Sequence, residues 1–187
     1  NFAIGADSSC NMTTGATNTT VGHISGCKIT SGYANTLLGY GSGTTITTGN
    51  ANTFLGQQSG RYATGNENTA VGTVALQTTT GDKNVAIGYQ TATCVQGASS
   101  ENIYIGHCVG PSTGLVQNCQ LYIGLGRGET PLIRGDFGTG QLTIHSQVSA
   151  SIFSGSFVGD GSGLTGISGA GFPYNGAAVI SGSLLVS

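Results

Sequence analysis

Asn84-Val85-Ala86-Ile87-Gly88 is one of eight copies of the pattern Asn-x-x-[Val/Ile/Leu]-Gly, and its recurrence decides the fold. The copies close at Gly5, Gly22, Gly39, Gly56, Gly72, Gly88, Gly106 and Gly124, with gaps of 17, 17, 17, 16, 16, 18 and 18 residues. That period is too short for a row of domains. It is the period of stacked coils, each completed by its neighbours, and such stacks build length and contact surface more often than active sites.

Aligned on the closing glycine, the copies resolve into columns. The first slot holds Asn1, Asn18, Asn35, Asn52, Asn68, Asn84 and Asn102, with Gln120 in the last copy. Amides stacked at strand spacing can hydrogen-bond along the stack, so these residues read as a structural ladder. The second slot holds Phe2, Thr19, Thr36, Thr53, Thr69, Val85, Ile103 and Leu121; the fourth holds Ile4, Val21, Leu38, Leu55, Val71, Ile87, Ile105 and Ile123. Residues two apart on a strand share a face. This face is apolar or Thr throughout, and the fourth-slot column is expected to be the coil interior.

The third slot points the other way. It holds Ala3, Thr20, Leu37, Phe54, Ala70, Ala86, Tyr104 and Tyr122, too apolar a set for a wet surface. A further copy of the chain is the simplest cover, so Leu37, Phe54, Tyr104 and Tyr122 are expected at an inter-chain contact. Gly15, Gly32, Gly49, Gly65 and Gly81 precede the Asn by three residues; they and the closing glycines are expected at corners with positive φ. Small residues three past the closing glycine suggest a second short strand in each coil, giving two strands and two turns. Eight coils make a rod of roughly 40 Å.

Composition is consistent with this. The 187 residues carry five Lys+Arg and seven Asp+Glu, a net charge of -2, which argues against nucleic acid as a partner. A hydrophobic content of 37% with so little charge argues against disorder. No apolar run reaches the length of a membrane span. The chain begins inside a repeat and ends in SGSLLVS, which reads as a segment of a longer protein.

Of the five cysteines, Cys10 and Cys27 lie one period apart in the same register, five residues past a closing glycine. Stacking brings their Cα atoms to about 5 Å, within disulfide range, so they are either a bridge or two buried thiols in one column. Cys94, Cys108 and Cys119 share no register and form no zinc-type pair.

NTAVGTVAL (Asn68 to Leu76) and NVAIGYQ (Asn84 to Gln90) resemble the head repeats of trimeric autotransporter adhesins, and equally the repeats of bacteriophage tail-fibre proteins, cyanophage-like ones included. The resemblance implies a parallel β-roll, left-handed in the adhesins, with three chains side by side. The period here is longer than in the adhesin heads. Beyond Gly124, Thr130 to Ile144 and Phe153 to Ile167 resemble fibre connector segments, and Ala177 to Ser187 the short strand repeats that follow them. No coiled-coil heptad appears, which favours the fibre over the adhesin.

The expected fold class is therefore all-β: a parallel β-roll or β-solenoid of 16–18-residue coils over 1–126, a connector with short strands over 127–150, and a Gly/Ser-rich intertwined trimeric β-region over 151–187.

No catalytic, metal or cofactor constellation emerges. His23 and His107 share a slot but lie about 24 Å apart along the stack, so they read as surface histidines. His145 lies on a strand without a carboxylate or cysteine pattern, and Glu67, Asp82, Glu101 and Glu129 share no register. Arg134-Gly135-Asp136 reads as a turn with an ion pair rather than an integrin motif. Asn11 and Asn18 match the glycosylation acceptor pattern, but Asn18 is committed to the ladder.

The sequence thus points to a non-enzymatic segment of a homotrimeric viral fibre, from a phage tail or neck, in the virion and extracellular. Other virion or fibre proteins and a host surface glycan or protein are the implied partners; nucleic acid, membrane insertion and cofactors are not. A bacterial surface adhesin is the alternative. A polysaccharide depolymerase and an ice-binding solenoid rank lower, the second because the Thr slot is read as facing inward.

Overall fold

Small residues, a fixed amide and a closing glycine at each turn leave room for only a very short strand per coil. In the structure, a computed structural model, strands β1 (Phe2–Ile4), β2 (Thr19–Val21), β3 (Thr36–Leu38), β4 (Thr53–Leu55), β5 (Thr69–Val71) and β6 (Val85–Ile87) are three residues each. Strands β7 (Ile103–Gly110) and β8 (Gln120–Arg127) are longer. β1 to β8 pair in parallel, each copy of the motif in register with the next. The structure describes residues 1–93, 95, 97–111, 116–127 and 130–149. The intertwined region expected over 151–187 lies outside them, as does Cys94.

Among the described residues the fold is all-β, without helix: a parallel β-solenoid extended by a hairpin. β9 (Ile133–Asp136) pairs antiparallel with β8, and β10 (Gln141–Ile144) pairs antiparallel with β9. The connector strands thus continue the solenoid sheet, with order β1 to β10 unbroken.

Each coil has one strand where two were expected. The rest is turn, yet its backbone still bonds coil to coil, as in Gly26 N–H to Ser42 O (2.9 Å) and Gly43 N–H to Ser59 O (3.0 Å). Left-handed residues stack in columns here; Thr17, Ala34, Ala51, Glu67, Lys83 and Glu101 all have φ between 55° and 61°. Repetition of the same turn in every coil keeps the interlocking backbone bonds that offset the cost of these conformations.

The two glycine columns have different causes. The closing glycines other than Gly124 have positive φ, as at Gly39 (+133°), where a Cβ would also lie 2.5 Å from Gly56 O. The glycines before the Asn do not adopt positive φ, contrary to expectation. Gly32 is required because a Cβ there would sit 2.5 Å from Gly49 O in the next coil. The constraint is close stacking of backbones.

The interior is the reverse of the expected one. Leu37, Phe54, Tyr104 and Tyr122, expected at an inter-chain contact, are fully buried inside their own coils, as are Ala70 and Ala86 of the same slot. The column Ile4, Val21, Leu38, Leu55, Val71, Ile87, Ile105 and Ile123, expected inside, points outward; Leu38 is 48% exposed beside Leu37 at 0%. Period-two alternation separates two faces but does not say which is inside when both are apolar.

A second column fills the interior opposite the strand: Ile29, Ile46, Ala63, Thr79 and Val95, seven residues past each closing glycine. In several coils a large strand residue faces a small one across the interior, or the reverse. Leu37 and Phe54 are matched by Gly43 and Gly60, whose added Cβ would lie 2.8 Å from a Leu37 methyl carbon and 2.2 Å from the Phe54 ring. Where the strand residue is Ala70, the matching position is Leu76, also fully buried. The exchange is not made in every coil: Ala86 is matched by Ala92, and both are buried.

Variation in period is confined to one corner. Two residues separate Ile29 from Gly32 and Ile46 from Gly49, one separates Ala63 from Gly65, and three separate Val95 from Ser99. These match the periods of 17, 16 and 18, so the ladder and core columns stay aligned.

Candidate functional site: the outward sheet face

The Asn ladder fixes the strand that presents this face. Asn35, Asn52, Asn84 and Asn102 each donate Nδ2–H to the Oδ1 of the preceding coil's Asn at 3.0 Å. Each ladder amide also donates to the next coil's corner, as in Asn18 Nδ2 to Gly32 O (2.8 Å) and Asn68 Nδ2 to Gly81 O (2.9 Å). The backbone N–H of Asn68 donates to Asn52 Oδ1 (3.0 Å). These buried amides are thereby satisfied on both sides, which is why a short polar side chain occupies an interior column. Asn18 is unavailable as a glycan acceptor, whereas Asn11 is exposed.

Two further columns clamp the strand. Ser25, Ser42 and Ser59 are buried and donate Oγ–H to the carbonyls of Leu37, Phe54 and Ala70 in the following coil, at 3.1, 3.0 and 3.0 Å. A second ladder runs two residues before the Asn column and was not anticipated from sequence. Tyr33 N–H donates to Asn50 Oδ1 (3.0 Å), Asn50 N–H to Asn66 Oδ1 (3.0 Å), and Asn66 N–H to Asp82 Oδ1 (2.7 Å). Its signal in the sequence is faint, because only the acceptor oxygen is common to Asn, Asp and Ser.

On this scaffold the second- and fourth-slot side chains project from the solenoid. Ile4, Leu38, Ile87 and Ile105 are exposed; Val21, Leu55, Val71 and Ile123 are half-buried by their column neighbours. Beside them run Thr19, Thr36, Thr53 and Thr69, then Val85, Ile103 and Leu121. The hairpin prolongs the same face. Leu121 is in register with Gly135 and Leu142, and Ile123 with Ile133 and Ile144. Leu142 and Ile144 are 64% and 41% exposed. Ten strands thus present one open, uncharged, largely aliphatic surface.

The hairpin's other face is polar. Gln120, Arg134, Asp136, Gln141, Thr143 and His145 line a cleft of about 240 Å³. The Arg134 guanidinium lies 5.5 Å over the Tyr122 ring, closing the end of the core. Arg134-Gly135-Asp136 is strand β9 rather than the expected turn, and Gly135 is buried. Asp136 Oδ1 accepts from the N–H groups of Gly138 (2.8 Å) and Thr139 (3.1 Å). The Thr139 backbone donor, the Gln120 side chain and the Gly138 donor together hold its carboxyl below the usual aspartate range. His145 Nδ1 is 2.7 Å from Pro131 O.

The remaining titratable residues are dispersed. His23 and His107 are exposed, against Tyr40 and Tyr89 with ring centroids 5.6 and 5.3 Å apart. Inside, Tyr104 stacks on Tyr122, and its buried hydroxyl has no hydrogen-bond partner. Burial, then the neighbouring Tyr122, push its ionisation above the ordinary tyrosine range. Cys10 and Cys27 are free thiols, exposed and half-buried respectively, rather than buried. Among the described residues no group of three or more His, Cys, Asp and Glu is placed to hold a metal ion. No helix there is long and apolar enough to cross a membrane. The chain matches no protein-family model, no curated protein and no solved structure.

Proposed function

We propose that this chain is a structural and adhesive segment of a homotrimeric fibre, and that its outward sheet face is where the copies meet. The observation that carries the reading is the column from Ile4 to Ile123, eight outward aliphatic side chains in register, four of them exposed and four half-buried. Ten strands at 4.8 Å, each about 10 Å wide, present on the order of 500 Å² of flat face, at the upper end of what monomers leave uncovered. No charged residue occupies it, so nothing on it selects a charged partner. Its relief repeats at strand spacing, and a second copy of the chain has a matching spacing along its whole length.

The number three and the virion location rest on the resemblance of the repeats to phage fibre and trimeric adhesin repeats. Attachment to a host surface follows from the same resemblance, with a bacterial surface adhesin as the alternative. The function is passive: coil stacking gives a stiff rod, and side-by-side packing covers its apolar face. Replacing Leu55 by Lys tests this. The variant keeps its far-ultraviolet dichroism and elutes as a single copy if the face is the contact. An unchanged elution volume refutes that placement.

One observation favours a second reading. Thr19, Thr36, Thr53 and Thr69 point outward, which removes the ground for setting the ice-binding solenoid aside. Against it, the column gives way to Val85, Ile103 and Leu121, and its companion column is aliphatic. Thermal hysteresis from the purified chain would establish that function in place of the fibre.

A further inference from the structure

We infer that Cys10 and Cys27 form an inter-coil oxidation site that closes to a disulfide within one chain, pinning the first coil to the second. Three observations place the pair. The cysteines share one position in successive coils, so strand spacing sets their Cα atoms about 5 Å apart, inside the disulfide range. Backbone bonds hold the two coils in register on either side of Cys10: Ser9 N–H to Ser25 O (3.0 Å) and Asn11 N–H to Cys27 O (3.2 Å). The Cys10 thiol itself donates to Cys27 O, with Sγ 3.4 Å from the oxygen, so its sulfur already lies against the Cys27 backbone.

Both sulfurs are reachable, Cys10 being exposed and Cys27 half-buried. The other described cysteines have different neighbours: Cys108 touches Gln90 and His107, and Cys119 touches Glu101.

The oxidant is a small-molecule disulfide such as glutathione disulfide. The Cys10 thiolate attacks one of its sulfurs, forming a mixed disulfide and releasing one glutathione thiolate. The Cys27 thiolate then attacks the Cys10 sulfur and displaces the second. The two cysteine protons end, through buffer, on the two released glutathione thiolates; the protein loses two electrons, and glutathione disulfide gains them as two thiols. Burial pushes the Cys27 thiol's pKa up, so a smaller share of it is the attacking thiolate at neutral pH.

The test is to equilibrate the full chain with glutathione disulfide, alkylate and map it. The expected result is a Cys10–Cys27 linked peptide, loss of two hydrogens' mass, single-chain mobility without reductant, and reversal by dithiothreitol. Hydrogen exchange at β1 should slow by roughly tenfold or more on oxidation, as for closure of a loop of about this size. That slowing should be absent in Cys10→Ser. Alkylatable thiols at both positions, a glutathione adduct on each, a link between chains, or slowing retained in Cys10→Ser would overturn the assignment. None of these readouts depends on trimer formation.

Discussion

Phe54 and Gly60 occupy one space inside the fourth coil: a Cβ on Gly60 would lie 2.2 Å from the Phe54 ring. The adjoining coil solves the same volume with Ala70 and Leu76, both buried. The pairing turns a single-residue statement into a testable coupling. Gly60→Leu alone overpacks the core at a residue with φ of +56°, and should destabilise by about 2–4 kcal/mol or more. Phe54→Ala alone should cost about 3–5 kcal/mol. The double variant Phe54→Ala with Gly60→Leu copies the next coil, and should be more stable than the sum predicts by about 1–3 kcal/mol. Chemical denaturation of the four proteins measures it; strict additivity would show that the two residues do not share volume.

Asn52 joins three coils. Its Nδ2 donates to Asn35 Oδ1 and Gly65 O, and its Oδ1 accepts from Asn68 N–H. Asn52→Ala strands those buried partners and should cost about 2–4 kcal/mol, several unmade bonds at roughly 1 kcal/mol or more each. Thr53→Ala, on the outward side of the same strand, should stay within about 0.5 kcal/mol for the single chain. Equal losses in the two variants would mean that the ladder does not hold the stack.

Acid should loosen the hairpin before the solenoid. Asp136 has its ionisation lowered, chiefly by the Thr139 backbone donor, then by Gln120 and Gly138. A depressed carboxyl stabilises the fold above its unfolded value, and that contribution is lost as pH falls through the folded value. The Gly138 and Thr139 amides should therefore lose exchange protection below the ordinary aspartate range. Asp136→Asn should make their protection independent of pH there. Protection falling identically in both proteins would contradict the assignment.

The sequence discloses the solenoid and its ladder because both rest on fixed residue types. Only Gly fits where Gly22 meets the Gly39 carbonyl, and only an amide both donates and accepts as Asn35 does between coils. Which face is inside is not legible from alternation, since Leu37 and Leu38 are the same residue with opposite fates. The legible signal was size. Some buried positions trade volume within a coil, as Phe54 does with Gly60 and Ala70 with Leu76, whereas the column from Ile4 to Ile123 varies only among Val, Leu and Ile. The column of Ile29, Ile46 and Val95 carried the same message and lay outside the motif. The third slot, buried within its own chain, gives no ground for a partner; the proposal of one rests instead on the second and fourth slots.

The most direct measurement is the native mass of the full chain in dilute buffer. The account predicts three times the chain mass of 18.6 kDa. A folded single copy, with the column from Ile4 to Ile123 open to solvent, would contradict it.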